Sequence, residues 1–288
     1  MNLGVGKLNP YLVKIYSCFI FNKKQRQLFR KNKLEKHNED LLKKTRFGVS
    51  YSVFDGIELL EPSILSIRSQ VDYINVVYQT HSWYGEKSEE NILEILNTLK
   101  NKKLIDEIIE YKAKPSKPAG YQELEKRNLG LKMAKRAKVN YFMTMDVDEF
   151  YLAHEIKKAK ATIINKNITR SFVPQIMYGF KPTEQKLSFN KNCYVSFFSK
   201  INMFSKLGKN SKTPCLVDKT RKFAYSIFEK NYVLDGVEMH HMSRVRKDYA
   251  KKMRNSSTLD PNLHYPNDDV CDKIVEVEDV FDIERFLK

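Results

Sequence analysis

The stretch YFMTMDVDEFY, residues 141–151, runs from an apolar segment into three carboxylates, Asp146, Asp148 and Glu149. The mostly apolar residues before Asp146 predict a buried strand. Burial and close like charges both oppose ionisation, so carboxylates at the end of such a strand would normally be neutralised. The sequence therefore predicts that a positive group faces them.

A divalent cation is one such group. In an extended segment Asp146 and Asp148 point to one side, whereas Val147 and Glu149 point to the other. Two carboxylates on one side can share Mn²⁺ or Mg²⁺, whose remaining positions go to water and phosphate oxygens. Asp146 and Asp148 are therefore candidate metal ligands, and Glu149 is expected to make hydrogen bonds instead. An Asp-X-Asp triplet in an ordinary surface turn is the alternative interpretation.

Composition places the chain among globular proteins. Its 288 residues are 42% hydrophobic, and the formal net charge is +16. We find no uncharged apolar run of roughly 18 residues, and the four cysteines lack the CxxC pairing of a zinc knuckle. These features predict a cytoplasmic protein with a sizeable core.

The excess positive charge is concentrated at the N-terminus. Residues 1–46 hold 12 Lys/Arg and 3 Asp/Glu. Apolar residues at helical spacing between Tyr11 and Ile20, followed by a basic stretch, predict an amphipathic N-terminal segment over residues 1–45. Residues 7–46 suit an anionic membrane surface, which predicts peripheral attachment to the inner face of the cytoplasmic membrane. A helix packed on the domain is the equal alternative, and nucleic acid ranks third because no nucleic-acid-binding motif is present.

From Arg46 onward, strand and helix patterns alternate. This alternation predicts an α/β domain with a mainly parallel, Rossmann-like sheet flanked by helices, in which ligands bind beyond the carboxyl ends of the strands. The predicted strands before the acidic one are 47–54, 73–80 and 105–112, and the predicted helices are 57–71, 91–104 and 121–137.

The helix before the acidic strand has unusual residues on its packed face. Asn128 lies between apolar positions and is expected to be partly buried beside Arg127. Gly130 in the helix interior costs about 1 kcal/mol relative to Ala, which suggests that another element approaches closely. A satisfied core Asn and a tight helix contact are the alternative to a binding role.

These residues resemble a known family. KRNLGLKMAKRAKVNYFMTMDVDEFY (126–151) resembles the central block of GT-A-fold, family 2-like glycosyltransferases, in which an Arg-Asn-X-Gly helix precedes a strand that ends in Asp-X-Asp. FGVSYSVFDGIELLEPSILSIRSQVDYINVVYQT (47–80) is similar to their opening strand-helix-strand unit. The resemblance is strongest to bacterial enzymes of lipopolysaccharide and capsular polysaccharide biosynthesis. It covers about residues 46–151 well and the C-terminal half loosely.

The resemblance implies a GT-A-like domain over residues 46–288, with a nucleotide-sugar half (46–151) and an acceptor half (152–288). In that case Asp146 and Asp148 hold the metal and the nucleotide-sugar, and Arg127 and Asn128 line the donor pocket. The resemblance also places three residues near the nucleoside: Ser52, Phe54 and Asp55. The second strand ends in YQTHSWYGE (78–86), without the Asp-Asp-Gly-Ser with which many members contact the base.

The segment GVEMHHMSRVRKDYAKKMRNSS (236–257) offers further candidates. The resemblance implies a third metal ligand from His240 or His241, of which only one faces the site if they lie in a strand. An imidazole ligand favours Mn²⁺ somewhat, and a packed and a solvated histidine are the alternative. The basic residues Arg244, Arg246, Lys251 and Arg254 predict a helix that either binds phosphates or an anionic acceptor, or forms a solvated face.

The predicted function is a metal-dependent, hexosyltransferase-like enzyme. It would move a sugar from a nucleotide-sugar donor to a glycan or lipid-linked glycan acceptor in surface polysaccharide (lipopolysaccharide) biosynthesis. An inverting mechanism needs a carboxylate base, for which Asp218, Asp235 and Glu238 are candidates, whereas a retaining one needs none. A metal-dependent nuclease or nucleotidyltransferase is the alternative, and it predicts salt-sensitive nucleic-acid binding. A non-catalytic scaffold would leave the carboxylates unexplained.

Overall fold

The computed structural model describes residues 23–88, 91–187, 193–208, 213–224, 229–256 and 273–288. The chain divides into two compact units, residues 1–44 and 45–288. In the first unit, helix α1 (Lys23–Lys44) contains the basic residues that follow the predicted amphipathic segment. The segment from Tyr11 to Ile20 lies outside the described residues. No helix in the described part of the chain is both long and apolar enough to cross a membrane.

The second unit alternates strands and helices. Its strands are β1 (Phe47–Val53), β2 (Tyr73–Tyr78), β3 (Glu107–Glu110), β4 (Tyr141–Asp146), β5 (Glu149–Phe150), β6 (Arg170–Tyr178), β7 (Glu184–Leu187), β8 (Tyr194–Lys200), β9 (Asn231–Val233), β10 (Met239–His241) and β11 (Lys273–Glu276). Its α-helices are α2 (Leu60–Arg68), α3 (Ile92–Asn101), α4 (Ala119–Arg136), α5 (Ala153–Asn165), α6 (Tyr249–Asn255) and α7 (Ile283–Leu287). Short 3₁₀ helices lie at Ile57–Leu59 and Lys219–Arg221.

The first four strands form the parallel half of the sheet, in the order β3-β2-β1-β4. β1 and β2 are buried along most of their length, as strands covered on both faces must be, and the polar residues of β1 are small serines. The chain moves outward from β1 in one direction through β2 and β3, and in the other direction to β4. The carboxyl ends of β1 and β4 therefore frame a topological switch point, where α/β proteins bind ligands.

The α/β fold class is confirmed, but the sheet is mixed and not mainly parallel. Beyond β4 the order continues β8-β6-β7-β11, and β8 runs antiparallel to both β4 and β6. β10 pairs in parallel with β6 and antiparallel with β5. Apart from β6 and β7, the paired strands are not consecutive in the sequence, so local patterns could not predict their pairing.

Gly130 allows helix α4 to pack directly on the parallel strands. A Cβ atom at this position would lie 1.9 Å from Ser50 Oγ on β1 and 3.2 Å from Asn75 Oδ1 on β2. Asn75 Nδ2 donates to the Gly130 carbonyl (3.1 Å), and Ser50 Oγ donates to Asn75 Oδ1 (2.7 Å). The close approach that the sequence predicts is therefore a contact between a helix and the sheet.

Gly130→Ala is expected to lower the free energy of unfolding by up to about 2 kcal/mol. Overpacking of a filled site costs about 1–3 kcal/mol, and the helix-propensity gain of about 1 kcal/mol offsets part of that cost. Gly208→Ala is the control, because a Cβ there meets nothing within 4 Å. Urea unfolding checks both variants, and a Gly130→Ala protein as stable as wild type would contradict the contact.

Candidate functional site

The candidate site lies where β1 and β4 end. Ser52 and Asp146 are directly paired across these two strands. A cavity of about 130 Å³ opens beside them, and its lining includes Phe54, Asp55 and Asp148. All five residues were candidates from the sequence, and the parallel register brings them together because both strands end at the same edge of the sheet.

The sequence predicts that Asp146 and Asp148 lie in one extended segment, but in the structure they do not. β4 ends at Asp146 and β5 begins at Glu149, so Val147 and Asp148 form a turn between them. The main chain returns to the sheet at once, since Met242 N–H donates to the Asp148 carbonyl (2.8 Å). The two carboxylates therefore have different sets of partners.

Asp146 is bonded to two buried guanidinium groups. Its Oδ2 accepts hydrogen bonds from Arg127 Nη2 (3.1 Å) and Arg221 Nη2 (2.5 Å). Burial alone would raise the pKa of Asp146, but Arg127 and Arg221 outweigh it and hold the pKa below its usual range. Asp146 is therefore ionised at neutral pH.

Asp148 is bonded to a second pair of cations. Its Oδ2 accepts hydrogen bonds from Arg246 Nη2 and Lys252 Nζ. The residue is 1% exposed, and burial again opposes ionisation, yet Lys252 and Arg246 hold the pKa of Asp148 well below normal. The positive group predicted from the sequence thus includes side chains of the chain itself.

Glu149 is a buried hydrogen-bonding residue. Its carboxylate accepts from Arg221 Nη1 (2.9 Å) and Nη2 (2.5 Å), and from the Asp146 N–H (3.2 Å). Arg221 therefore joins Asp146 to Glu149. Sequence reasoning missed Arg221, which lies in a short 3₁₀ helix with no pattern that marks it as functional.

The two histidines of β10 face different surroundings. His240 is buried, its Nδ1 lies 2.8 Å from Tyr178 Oη, and its ring packs against Phe281. Burial lowers the pKa of His240 to about 4, so it is a neutral packed side chain. His241 instead places Nε2 3.7 Å from Asp148 Oδ1. Only His241 therefore faces the carboxylates, as expected of two adjacent histidines in a strand. His240 faces the core.

The donor atoms of Asp148 and His241 suit a divalent cation. Metal–ligand bonds of about 2.0–2.2 Å from a carboxylate oxygen and an imidazole nitrogen can span 3.7 Å. Within the described ranges no group of three or more His, Cys, Asp or Glu side chains could hold a metal. Asp148 and His241 are therefore the two candidate ligands among the described side chains here, and water or phosphate oxygens would have to supply the other positions.

Of the pair Arg127 and Asn128, only Arg127 contacts the acidic cluster. Arg127 is 3% exposed and also binds Glu123, with Nη2–Oε1 at 2.6 Å. Asn128 binds the backbone of Leu207 twice, accepting from its N–H (2.9 Å) and donating to its carbonyl (3.1 Å). The resemblance implies that Asn128 lines the donor pocket. In the structure its amide instead hydrogen-bonds the backbone of a neighbouring loop, which is a structural role.

The three candidate bases are spread over the second half of the unit. Asp218 lies beside the cluster, 3.9 Å from Arg127 Nη2 and 3.6 Å from Arg221 Nε, and caps the 3₁₀ helix through Thr220 N–H. Asp235 is exposed in the turn that contains Gly236. Glu238 is exposed just before β10. Asp218 is thus the candidate that the fold brings to the cluster.

The predicted basic helix is shorter than expected. Residues 246–256, called here the roof, line one side of the cavity. Only residues 249–255 are helical, and Arg246 precedes them. Arg254 and Asn255 bind Glu86 (3.1 and 2.7 Å), and Tyr84 Oη donates to the Ser256 carbonyl (3.2 Å). These bonds tie the roof to the loop after β2. Among the other basic candidates, Arg244 lies over the rings of Phe180 and Tyr249, and Lys251 lies over Phe54.

Two further cavity residues were not predicted. Lys126 is 1% exposed, and its Nζ donates to the Val53 carbonyl (2.8 Å) and lies 5.6 Å from the centre of the Trp83 ring. Both side chains line the cavity. The helical stripe points to Asn128, so the functional interest of its neighbour Lys126 emerges only from the fold.

Comparisons with known proteins give only distant likenesses. No protein-family model and no curated protein matches the chain. Among solved structures, TarS of S. aureus aligns at 15% identity and a TM-score of 0.32 over 46% of this chain and 22% of TarS. Residues 1–349 of TarS in complex with UDP align at 16% identity and 0.33 over 51% and 43% of the two chains. The complex with UDP-GlcNAc gives 15% and 0.33 over 51% and 42%. The chain spans less than half of each TarS chain, and TM-scores this low do not assign a function.

Proposed function

We propose that this chain is a glycosyltransferase that uses a nucleotide-sugar donor. The observation that carries the proposal is the cluster at the ends of β1 and β4, where Asp146 and Asp148 meet buried arginines and a half-buried lysine beside a cavity. Cavities at such switch points bind nucleotides in α/β proteins. The sequence resemblance of residues 46–151 points to the same class.

The cationic side chains provide the donor's diphosphate with binding partners. Arg246 and Lys252 line the cavity. Arg246 Nη1 is buried without a hydrogen-bond partner, although it lies 3.3 Å from Asp55 Oδ1. An unsatisfied buried guanidinium nitrogen is costly, and a phosphate oxygen matches its geometry. Phe54 and Trp83 offer ring surfaces for a planar base in the same cavity.

A divalent cation completes this proposal. Asp148 and His241 would hold Mn²⁺ or Mg²⁺, which when bound supplies positive charge to the diphosphate as it leaves the sugar. Asp146, fixed by Arg127 and Arg221, would position the donor from the other side of the turn. Asp218 is the carboxylate that we propose as base if transfer inverts the anomeric centre.

We propose that the roof moves when a donor enters. The cavity of about 130 Å³ is smaller than the roughly 300–1,000 Å³ of typical ligand sites. The bonds of Glu86 to Arg254 and Asn255 hold the roof in place and are partly exposed, so they can break at modest cost. We propose that donor binding separates this loop from α6.

The acceptor class rests on the sequence resemblance. We propose a glycan or lipid-linked glycan, transferred at the cytoplasmic face of the membrane in the synthesis of a surface polysaccharide such as lipopolysaccharide. The hexosyltransferase type is part of the same proposal.

Thermal unfolding tests the donor. Nucleoside diphosphates and nucleotide-sugars are added with and without Mn²⁺ or Mg²⁺, and DNA and RNA oligonucleotides are added in parallel. A ligand at 100 times its Kd stabilises the native state by about 2.7 kcal/mol, which raises the midpoint measurably. We expect one nucleoside diphosphate to raise the midpoint, and more strongly with metal. Stabilisation by oligonucleotides alone, lost at high salt, would replace this proposal with the nuclease alternative.

A further inference from the structure

A turn far from the cavity residues in the sequence presents two apolar side chains to solvent. Met203 and Phe204 are 76% and 86% exposed. They lie at the tip of residues 201–207, called here the 201–207 turn, between strand β8 and Leu207. A single exposed apolar residue is ordinary, but two adjacent large ones at a tip are typical of an interaction site.

The 201–207 turn is rigidly held. Asn202 Oδ1 accepts from Phe204 N–H (2.9 Å), and Asn202 N–H donates to Ser205 Oγ (3.0 Å). Lys135 of α4 donates to the carbonyls of Met203 (3.1 Å) and Ser205. Ile201 and Leu207 at the two ends are buried in one core cluster. The apolar tip is therefore preorganised, and little conformational entropy is lost when it binds.

The surrounding charge is uniformly positive along the chain. Residues 185–217 contain six lysines and no Asp or Glu. Lys200 and Lys206 flank the tip and are exposed. The pairing of Leu207 with Phe223 also brings Lys222 to the base of the turn, where its carbonyl accepts from Gly208 N–H (2.8 Å). An apolar tip flanked by lysines matches a surface with anionic headgroups over an apolar interior.

We propose that the 201–207 turn is a membrane-docking element that inserts Met203 and Phe204 into the interfacial region of an anionic bilayer. Apolar side chains at the headgroup boundary and nearby lysines together provide binding, each lysine acting only within about a Debye length of the surface. The element is separate from the basic N-terminal segment and does not depend on the proposed enzymatic activity.

The test places a reporter at the tip of the full chain. Phe204→Trp adds one tryptophan to Trp83, which is 8% exposed. Vesicles contain phosphatidylglycerol and phosphatidylcholine with brominated acyl chains, which quench only inserted tryptophans. We expect a blue shift and quenching for Phe204→Trp, and neither for Leu93→Trp, a control at an exposed position on α3. Vesicles of phosphatidylcholine alone should give at least several-fold less binding.

A second variant separates docking by this turn from docking by the N-terminal segment. Met203→Ser combined with Phe204→Ser should weaken binding to phosphatidylglycerol vesicles by about tenfold or more without changing the thermal midpoint. Unchanged vesicle binding by this variant, or vesicle-bound Phe204→Trp that is not quenched, would overturn the proposal. Concentration-dependent dimers that the double Ser variant abolishes would assign the turn to a second copy of the chain and would also overturn it.

Discussion

Asp148→Asn is expected to reduce sugar transfer by about 10²–10³-fold. The substitution keeps the size and shape of the side chain but removes the charge that faces His241, Arg246 and Lys252. Loss of one preorganised electrostatic partner in a water-poor site typically has an effect of this size. Measurement of initial rates with saturating donor and metal checks it, and the metal-dependent rise in thermal midpoint with a nucleoside diphosphate should disappear as well.

The same substitution should also destabilise the protein. Arg246 and Lys252 remain buried or half-buried beside a neutral amide. Removing one partner of a buried ion pair costs about 3–5 kcal/mol, and the amide oxygen that stays in place keeps Asp148→Asn at the lower end. Rates must therefore be compared well below the unfolding midpoint of the variant.

His241→Gln separates the metal role of Asp148 from its ion-pair role. This variant removes the other proposed ligand but leaves Arg246 and Lys252 paired with Asp148. We expect transfer to fall and the dependence on Mn²⁺ to weaken, with little change in stability. Asp282→Asn, at an exposed position far along the chain, is the control for the Asp-to-Asn change in Asp148→Asn. Full activity in Asp148→Asn would contradict the proposed site. Full activity in His241→Gln alone would show that His241 is not part of the site.

Local sequence patterns predict the parallel half of the fold, but they predict the site only in part. β1 and β2 lie within one or two residues of their predicted ends because each is a short, largely buried segment bounded by polar turns. The shared edge of β1 and β4 then brings Ser52, Asp55 and Asp146 together. In contrast, Arg221 and Lys252 meet Asp146 and Asp148 across 75 and 104 residues of chain. No periodicity encodes such contacts, so the cations that hold the carboxylates could not be predicted.

Lys126→Met is expected to stabilise the protein at neutral pH and to flatten its stability profile in mild alkali. Burial lowers the pKa of Lys126 from 10.5 to about 7, and Asp146 offsets only part of that effect. Between about pH 7 and 10.5 the unfolded chain therefore binds a proton at this residue that the folded chain lacks. Stability must then rise with pH across that window, by about 1.4 kcal/mol per pH unit.

The structure offers a clean comparison for this prediction. Methionine fills the volume of the lysine stem without charge, and the Val53 carbonyl still accepts from Gln79 N–H (3.1 Å) after Lys126 Nζ is removed. Lys132→Met, at an exposed position on the same helix, is the control and should not change the slope. Urea unfolding of the three proteins from pH 6.5 to 9.5 measures the difference, in which other titrating groups cancel. An identical slope in wild type and Lys126→Met would show that Lys126 stays protonated in the fold.

A lysine that costs stability at neutral pH needs a reason to lie in the cavity. A bound diphosphate would supply one, because its negative charge favours the protonated amine and offsets the cost of burial. We therefore expect Lys126→Met to be more stable than wild type without ligand. This advantage should disappear when a nucleoside diphosphate is added. If the variant kept the full ligand-induced rise in midpoint, Lys126 would be a packing residue, and the cavity would bind its donor through the Arg246 side instead.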